Sequence, residues 1–332
     1  MTGHIKQKGS PYFMATDYLH KLTHLRLNTN RNQWSSATAH RAPHKPFLLL
    51  SILDLAAQGQ IDSPFVQPSF DLIERFARYW DLVRPPSGKC NMAYPFYYMQ
   101  SEGFWRLVPK PGQESEMGEK ITSSMTRLQS VVLGAEIDQE LFELISGQKS
   151  REELRAALLN TYFAPDIRQL LLREAMENQE AFEYSQRLLQ AAEAAMPFGR
   201  PDKPQQIRDS GFRKAIMNLY SHRCALCGIR MISPEGHTIV EAAHIRPWAD
   251  SRDDRPTNGL ALCKLCHWSF DRGFMSVGKD YEVLVSPLAR SEENNPGHIM
   301  TLDQRPIFPP DDERHIPDQG CLWWHRREVF RK

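Results

Sequence analysis

The sequence predicts an α+β protein: a mostly helical N-terminal half, a helical linker, and a C-terminal unit in which a strand, a polar loop and a short helix gather around bound metal. Three observations carry this. Across residues 13–195 apolar side chains recur mainly at helical spacing. PFGRPDKPQQ, residues 197–206, has the composition of a linker. Beyond it, Cys224/Cys227 and Cys263/Cys266 form two Cys-x2-Cys pairs, the spacing of a four-thiolate zinc site.

Taken in order, residues 1–10 are polar and read as a disordered start. Over 13–28, Phe13, Met14, Tyr18, Leu19, Leu22 and Leu25 repeat as on a helix face. The stretch 29–46 is irregular and mixes basic with aromatic residues. Pro46, at a first helical position, opens a strongly apolar helix that runs to about Ala57, and Gly59 ends it. FDLIERFARYWDLV, residues 70–83, is a further helix, and RPPSGK, 84–89, a loop. AYPFYYMQSEGFWRLVPK, 93–110, reads as a strand or hairpin with Gly103 near a turn. Residues 132–162 read as short helices, and a long helix is expected from Asp166 to about Ala195. After the linker, Phe212, Ile216, Met217 and Tyr220 mark a leading helix. Past Phe274 come a strand, YEVLV, and a Pro-rich tail.

A chain of 332 residues suggests two or three domains, and 41% hydrophobic with 24% charged residues are globular values. The net charge of +1 does not by itself announce a nucleic-acid binder. Its distribution says more, because residues 1–46 carry seven Lys and Arg against Asp17 alone, and the segment around Arg246, Arg252, Arg255, Lys264 and Arg272 is basic again. No signal-peptide core opens the sequence, and FLLLSILDLAA is too short and too interrupted to span a bilayer. The expectation is therefore a soluble, cytoplasmic protein with reduced thiols and no membrane partner. Cys90 and Cys321 stand outside the pairs; a disulfide between them is open, though nothing in the sequence supports it.

Between the cysteine pairs lie His244, Asn258 and His267. These residue types suit metal-assisted hydrolysis of a phosphodiester, which needs a base, a cation on the phosphate oxygens and something to fix the base. His244 follows a β-branched run, so it is expected to end a strand, and it is the candidate base. Asn258 sits in a polar loop where its amide can hold that loop against the strand. His267 and Asp271 are four apart, so on a helix they share a face and can bind one divalent ion. Simpler readings stay open: a disulfide role for the cysteines, a core role for His244, a helix-end or ion-paired role for Asp271, and either role for Glu241.

In these residues the stretch from about Gly211 to Met275 resembles the HNH (ββα-metal) endonucleases of the cysteine-containing branch: C-x2-C, AAHI, then N-x8-H-x3-D with C-x2-C-H embedded. The resemblance implies a ββα-metal domain with His244 as general base, Asn258 as structural residue, and His267 and Asp271 as ligands of a catalytic Mg2+ or Mn2+. It also implies structural Zn2+ on the cysteines. One position departs. Many members carry Asp or His directly before the base, where this chain has Ala243, so Glu241, Asp271 or water must complete the shell.

The front half, through HRAPHKPFLLLSILDL and then AYPFYYMQSEGFWRL, is similar to the sulfur-binding domain of phosphorothioate-dependent Type IV restriction endonucleases. The resemblance places that domain at 11–165, a connector at 166–206 and the nuclease at 207–332. It implies a sulfur pocket from His44, Lys45, Tyr94, Pro95 and Tyr98. Arg26, Arg31, Asn32, His40 and Arg41 are its candidates for base edges or neighbouring phosphates. The expected function is a modification-dependent endonuclease acting on double-stranded phosphorothioate DNA. A single HNH copy cuts one strand, so a homodimer is expected. The alternatives are an HNH enzyme selecting another modification such as methylcytosine, a DNA-binding module whose nuclease is weak because of Ala243, and a nuclease acting on RNA.

Overall fold

The computed structural model describes residues 11–193, 203–291, 293–295 and 297–332. The chain divides into two compact units, residues 1–176 with 234–237 and residues 177–233 with 238–332, each with its own apolar core. Among the described residues, no helix is long and apolar enough to cross a membrane.

The first unit runs α1 (Pro11–Thr23), α2 (His44–Ala57), β1 (Phe65–Val66), α3 (Phe70–Val83), α4 (Ala93–Tyr98), β2 (Trp105–Pro109), α5 (Met125–Val131), β3 (Val132–Ile137), α6 (Gln139–Ser146) and α7 (Gln148–Tyr162). Next comes α8 (Pro165–Glu193), and the division between units falls inside it. An apolar run on every face makes a helix that must be buried on every face, and α2 is buried from Lys45 to Ala56. Its one acid, Asp54, accepts from Tyr79 Oη on α3 at 2.6 Å and pairs with Arg75 of α3 and Arg155 of α7. Burial pushes that carboxyl up, but the two guanidinium groups outweigh it and hold it below its ordinary range. Because an unpaired charge there would be strongly destabilising, the cluster fixes how three helices pack.

The small sheet has the order β1-β3-β2, all antiparallel. Gly134 lies where β3 passes closest to Phe65; a Cβ there would stand 2.4 Å from the Phe65 ring. Several expectations need correction. Residues 93–98 are helical, not extended, and only 105–109 form a strand. The signal was there: Met92, Ala93, Phe96 and Met99 are all buried and recur at helical period, although Tyr and Phe favour strands individually. Asn91 Oδ1 accepts from Ala93 N at 3.1 Å, and Pro95 is tolerated in the first turn. Gly103, φ +84°, then turns the chain into β2 as expected. Residues 132–137, read as part of a helical stretch, form β3, which pairs with both β1 and β2 and buries Val132, Ala135 and Ile137. Helix α1 stops at Thr23 rather than 28, and α2 begins two residues before Pro46.

The second unit contains α9 (Gln205–Leu219), β4 (Val240–His244), α10 (Trp248–Ser251), β5 (Gly259–Cys263), α11 (Lys264–Asp271), β6 (Met275–Val277), β7 (Val283–Val285) and α12 (Gln319–Glu328). Most of the expected linker lies outside the described residues; its last two, Gln205 and Gln206, already belong to α9. Strands β4 and β5 pair antiparallel, with Val240 opposite Cys263 and His244 opposite Gly259. Helix α9 packs on this hairpin through Phe212 and Ile216, so closely that a Cβ on Gly259 would meet Ile216 Cδ1 at 2.4 Å. Helix α11 packs on the same strands, and α12 packs on β6.

His325 of α12 ties this unit together. Its ring stacks on Phe270 with centroids 3.6 Å apart. Nε2 donates to the Phe270 carbonyl (3.1 Å), leaving Nδ1 to accept from Ser276 Oγ (2.9 Å). Burial is the main cause that lowers its pKa to about 4. The unfolded chain therefore binds this proton first, and the neutral ring's contribution is complete above about pH 6.5 and lost as pH falls toward 4. The stability gap between wild type and His325→Gln is expected to shrink by about 2 kcal/mol between pH 7.5 and 5. Urea titrations at the two pH values check this; a gap that stays constant would contradict it.

Candidate functional site

Cys224 and Cys227 lie on a tight turn closed by the Gly228 amide, which donates to Cys224 O at 2.9 Å. Cys263 ends β5 and Cys266 lies in the first turn of α11. All four Sγ atoms are within 4.8 Å of one another, and Cys227 and Cys263 are 3.7 Å apart. Tetrahedral bonds of about 2.3 Å give sulfur–sulfur edges of about 3.8 Å, so this donor set fits zinc. Hydrogen bonding among the four thiols, from Cys227 first, draws Cys224 down to about 7 and, from Cys224 first, lowers Cys263, while it pushes Cys227 and Cys266 up; a bound zinc would take the protons from all four.

His244 closes β4, with its ring flat on Phe212 of α9 (centroids 3.8 Å, 6° apart). Its Nε2 is 2.9 Å from Oδ1 of Asp254. Asp254 is only 1% exposed, and its Oδ2 also accepts from Tyr184 Oη (2.9 Å) and Arg208 Nη1 (3.3 Å). Burial alone would push this carboxyl up; the bonds from His244 and Tyr184 and the Arg208 charge bring it below its ordinary range. Asn258 is fully buried and uses its whole amide. Oδ1 accepts from Arg246 N (2.9 Å), while Nδ2 donates to Arg246 O (3.0 Å) and Asp253 O (2.9 Å). It thereby locks the loop that brings Asp254 up to His244.

On α11, His267 Nδ1 is 3.1 Å from Glu241 Oε2 and His267 Nε2 is 3.5 Å from Asp271 Oδ2. Strand alternation puts Glu241 on the same face of β4 as Ala243, so the acid two residues upstream reaches the helix where Ala243, 2% exposed, brings no ligand. Each ring nitrogen faces a different carboxylate. As the side chains stand, an ion on His267 meets Glu241 or Asp271, not both. Among the described residues, three or more ligand atoms converge only at the cysteines.

In the first unit, His44 opens α2 inside an aromatic box. Its ring centroid lies 5.6 Å from Trp34, 4.8 Å from Trp80 and 6.5 Å from Tyr94. Gly88, φ +87°, closes the box, since a Cβ there would sit 3.0 Å from Trp34 and 3.3 Å from His44. Burial lowers the His44 pKa to about 4, so at neutral pH the ring is uncharged. Tyr94 is 52% exposed and lies 5.5 Å from the Tyr98 ring, whereas Pro95 is buried beneath them. Tyr98 Oη donates to Glu119 at 3.1 Å. Lys45 is not free: it is buried, its ammonium pairs with Glu102, and it donates to Ser101 Oγ at 2.9 Å. Arg26, Arg31 and Asn32 are exposed on the irregular segment between α1 and α2. Farther along it, Arg41 lies over Tyr162 at 5.6 Å, and His40 is fixed through Nδ1 to Trp34 O (3.0 Å).

Residues 224–278 match the family described as HNH endonuclease, and residues 15–176 match the family described as ScoMcrA-like, DNA sulfur-binding domain. The chain carries a DNA sulfur-binding domain and an HNH endonuclease domain. Among solved structures, a "Modification dependent TagI restriction endonuclease" is similar at 24% identity, over 41% of this chain and 42% of that one, with a TM-score of 0.30. The chain thus aligns with less than half of that structure's length. No curated protein matches it.

Around His244, two features had no signature in the sequence. Asp254 and its partners Tyr184 and Arg208 are separated by 70 and 46 residues, and only folding brings them to His244. Phe212 reads in the sequence as a core residue of the leading helix, yet it also forms the floor under the His244 ring. In the sulfur-binding domain, Trp34 was visible in the irregular stretch and Trp80 in a helix, but not as two walls of one box.

Proposed function

We propose that the chain is a modification-dependent restriction endonuclease: its sulfur-binding domain recognises phosphorothioate-modified duplex DNA, and its HNH domain hydrolyses a phosphodiester nearby. The observation that supports this most is the pairing itself, a DNA sulfur-binding domain and an HNH endonuclease domain in one chain. Sulfur in place of a non-bridging oxygen is larger, softer and less hydrated, so its reader needs an uncharged apolar cup with cations close by. In this reading His44, Tyr94, Pro95 and Tyr98 form the cup, and the neutral state of His44 suits it. Arg26, Arg31 and Arg41 take neighbouring phosphates or base edges. Lys45 reaches a phosphate only by releasing Glu102, whose negative charge the phosphate would replace.

In the HNH domain, His244 takes a proton from water as the water oxygen attacks phosphorus, and one ester bond to phosphorus breaks. Asn258 keeps the loop beside His244 closed. A divalent ion such as Mg2+ or Mn2+, held by His267 with Glu241 or Asp271, supplies positive charge for the phosphate and the leaving oxygen. The cysteines hold structural zinc. One HNH site cuts one strand, so a double-strand break calls for a homodimer or for two copies meeting on DNA. Sedimentation with uncleaved duplex is expected to show two copies per DNA, and a lone copy that cuts both strands would contradict this.

Binding tests the cup directly. Fluorescence anisotropy with a duplex carrying one phosphorothioate, and with its all-oxygen twin, is expected to favour sulfur by roughly tenfold or more. Tyr94→Ala and Pro95→Ala are each expected to lose about 1–2 kcal/mol of that preference, roughly 5- to 30-fold. An unchanged preference in both variants would refute the pocket.

A further inference from the structure

A histidine acts as a base through one nitrogen at a time, and the other nitrogen must carry the proton. Which one is free is decided by its neighbours. Here Nε2 of His244 faces Oδ1 of Asp254 at 2.9 Å, and a carboxylate only accepts. The proton therefore sits on Nε2, and Nδ1 keeps its lone pair on a side chain that is 20% exposed. Asp254 cannot turn away. Tyr184 Oη and Arg208 Nη1 both donate to its other oxygen, and Arg208 is itself packed over the Trp248 ring at 3.7 Å. Phe212 prevents the imidazole from tilting.

We infer that Asp254 is a positioning residue for His244: held by Tyr184 and Arg208, it fixes the proton on Nε2 and so makes Nδ1 the atom that receives the proton of the attacking water. This rests on the nuclease reading for its catalytic consequence, though not for its tautomer. When Nδ1 gains the proton, the imidazolium formed already faces a buried carboxylate, which stabilises it without rearrangement. The proton passes from water to Nδ1, the Nε2 proton stays where it is, and Asp254 remains ionised throughout.

Asp254→Asn separates this role from simple packing. Arg208 can only donate, so the new amide points its oxygen at Arg208, and its NH2 then faces His244. An NH2 facing Nε2 forces the imidazole proton onto Nδ1, the wrong tautomer for catalysis. Nitrogen NMR of the full-length zinc-loaded protein, with the His244 signals assigned by their loss in His244→Gln, is expected to show the Nε2–H form in wild type and the Nδ1–H form in Asp254→Asn. Plasmid cleavage with Mn2+ is expected to fall about 10²- to 10³-fold in kcat with KM little changed. Tyr184→Phe, which removes one bond to the carboxylate and is the milder change, is expected to lose roughly 5- to 10-fold in kcat. An Nε2–H tautomer that persists in Asp254→Asn overturns the inference, as does wild-type kcat in both variants. If Asp254→Asn does not fold, the NMR of wild type and the kcat of Tyr184→Phe decide the matter. If wild type cuts no DNA with any metal, the nuclease reading fails by itself, while the tautomer still decides the role of Asp254.

Discussion

Replacing Cys224 by Ser, or withdrawing metal from the full-length protein with a strong chelator, is expected to abolish the cooperative unfolding transition of the second unit. The four sulfurs join the 224–228 turn, the end of β5 and the first turn of α11, which are the pieces that hold the candidate active site together. Structural zinc in small domains contributes about 10–16 kcal/mol in apparent binding energy, comparable to or larger than the whole stability of an ordinary domain at about 5–15 kcal/mol. Removing one thiolate should therefore do more than slow the enzyme. The first unit has its own core and is expected to keep its own transition. Calorimetry with metal analysis follows both at once. A Cys224→Ser protein that retains both transitions and one tightly bound zinc per chain would contradict the structural role.

His244→Ala should behave in the opposite way, leaving the fold intact and removing the chemistry. General-base catalysis contributes about 10²- to 10⁴-fold, and a loss of about 10³-fold or more in single-turnover cleavage is expected here. Affinity for phosphorothioate duplex should change by less than about twofold, since the proposed sulfur cup draws on none of the residues around His244. Truncation leaves the Phe212 face without its stacking partner, so a small fall in stability, on the order of 1 kcal/mol, is also expected. Cleavage reduced less than about tenfold would mean that another group is the base.

Geometry with a local spacing was legible in the sequence. Two Cys-x2-Cys pairs, a histidine ending a β-branched run and a His/Asp pair four apart each fix geometry within a few residues, and the 224–228 turn, β4, β5 and α11 carry them. What was not legible depended on contacts between distant parts of the chain. Asp254 reads as one acid in an acid- and arginine-rich loop until Tyr184 and Arg208 meet it. Lys45 reads as a free cation until Glu102, 57 residues away, takes it. The aromatic run at 93–98 misled for a different reason: residue preference pointed to strand, while the period of its buried members pointed to helix, and packing followed the period. The candidate shell for a catalytic metal lies between these cases. His267 and Asp271 were readable as a pair, but a His267 ring with one carboxylate at each nitrogen could be seen only once β4 had brought Glu241 alongside.

The most direct measurement uses two plasmids of identical sequence, one carrying phosphorothioates, each incubated with the zinc-loaded protein and Mn2+. Linearisation of the sulfur plasmid alone is the expected result. Equal cutting of both would remove the sulfur reader, cutting that instead follows cytosine methylation or RNA would favour another substrate, and intact plasmids with every divalent metal would reduce the chain to a binding protein.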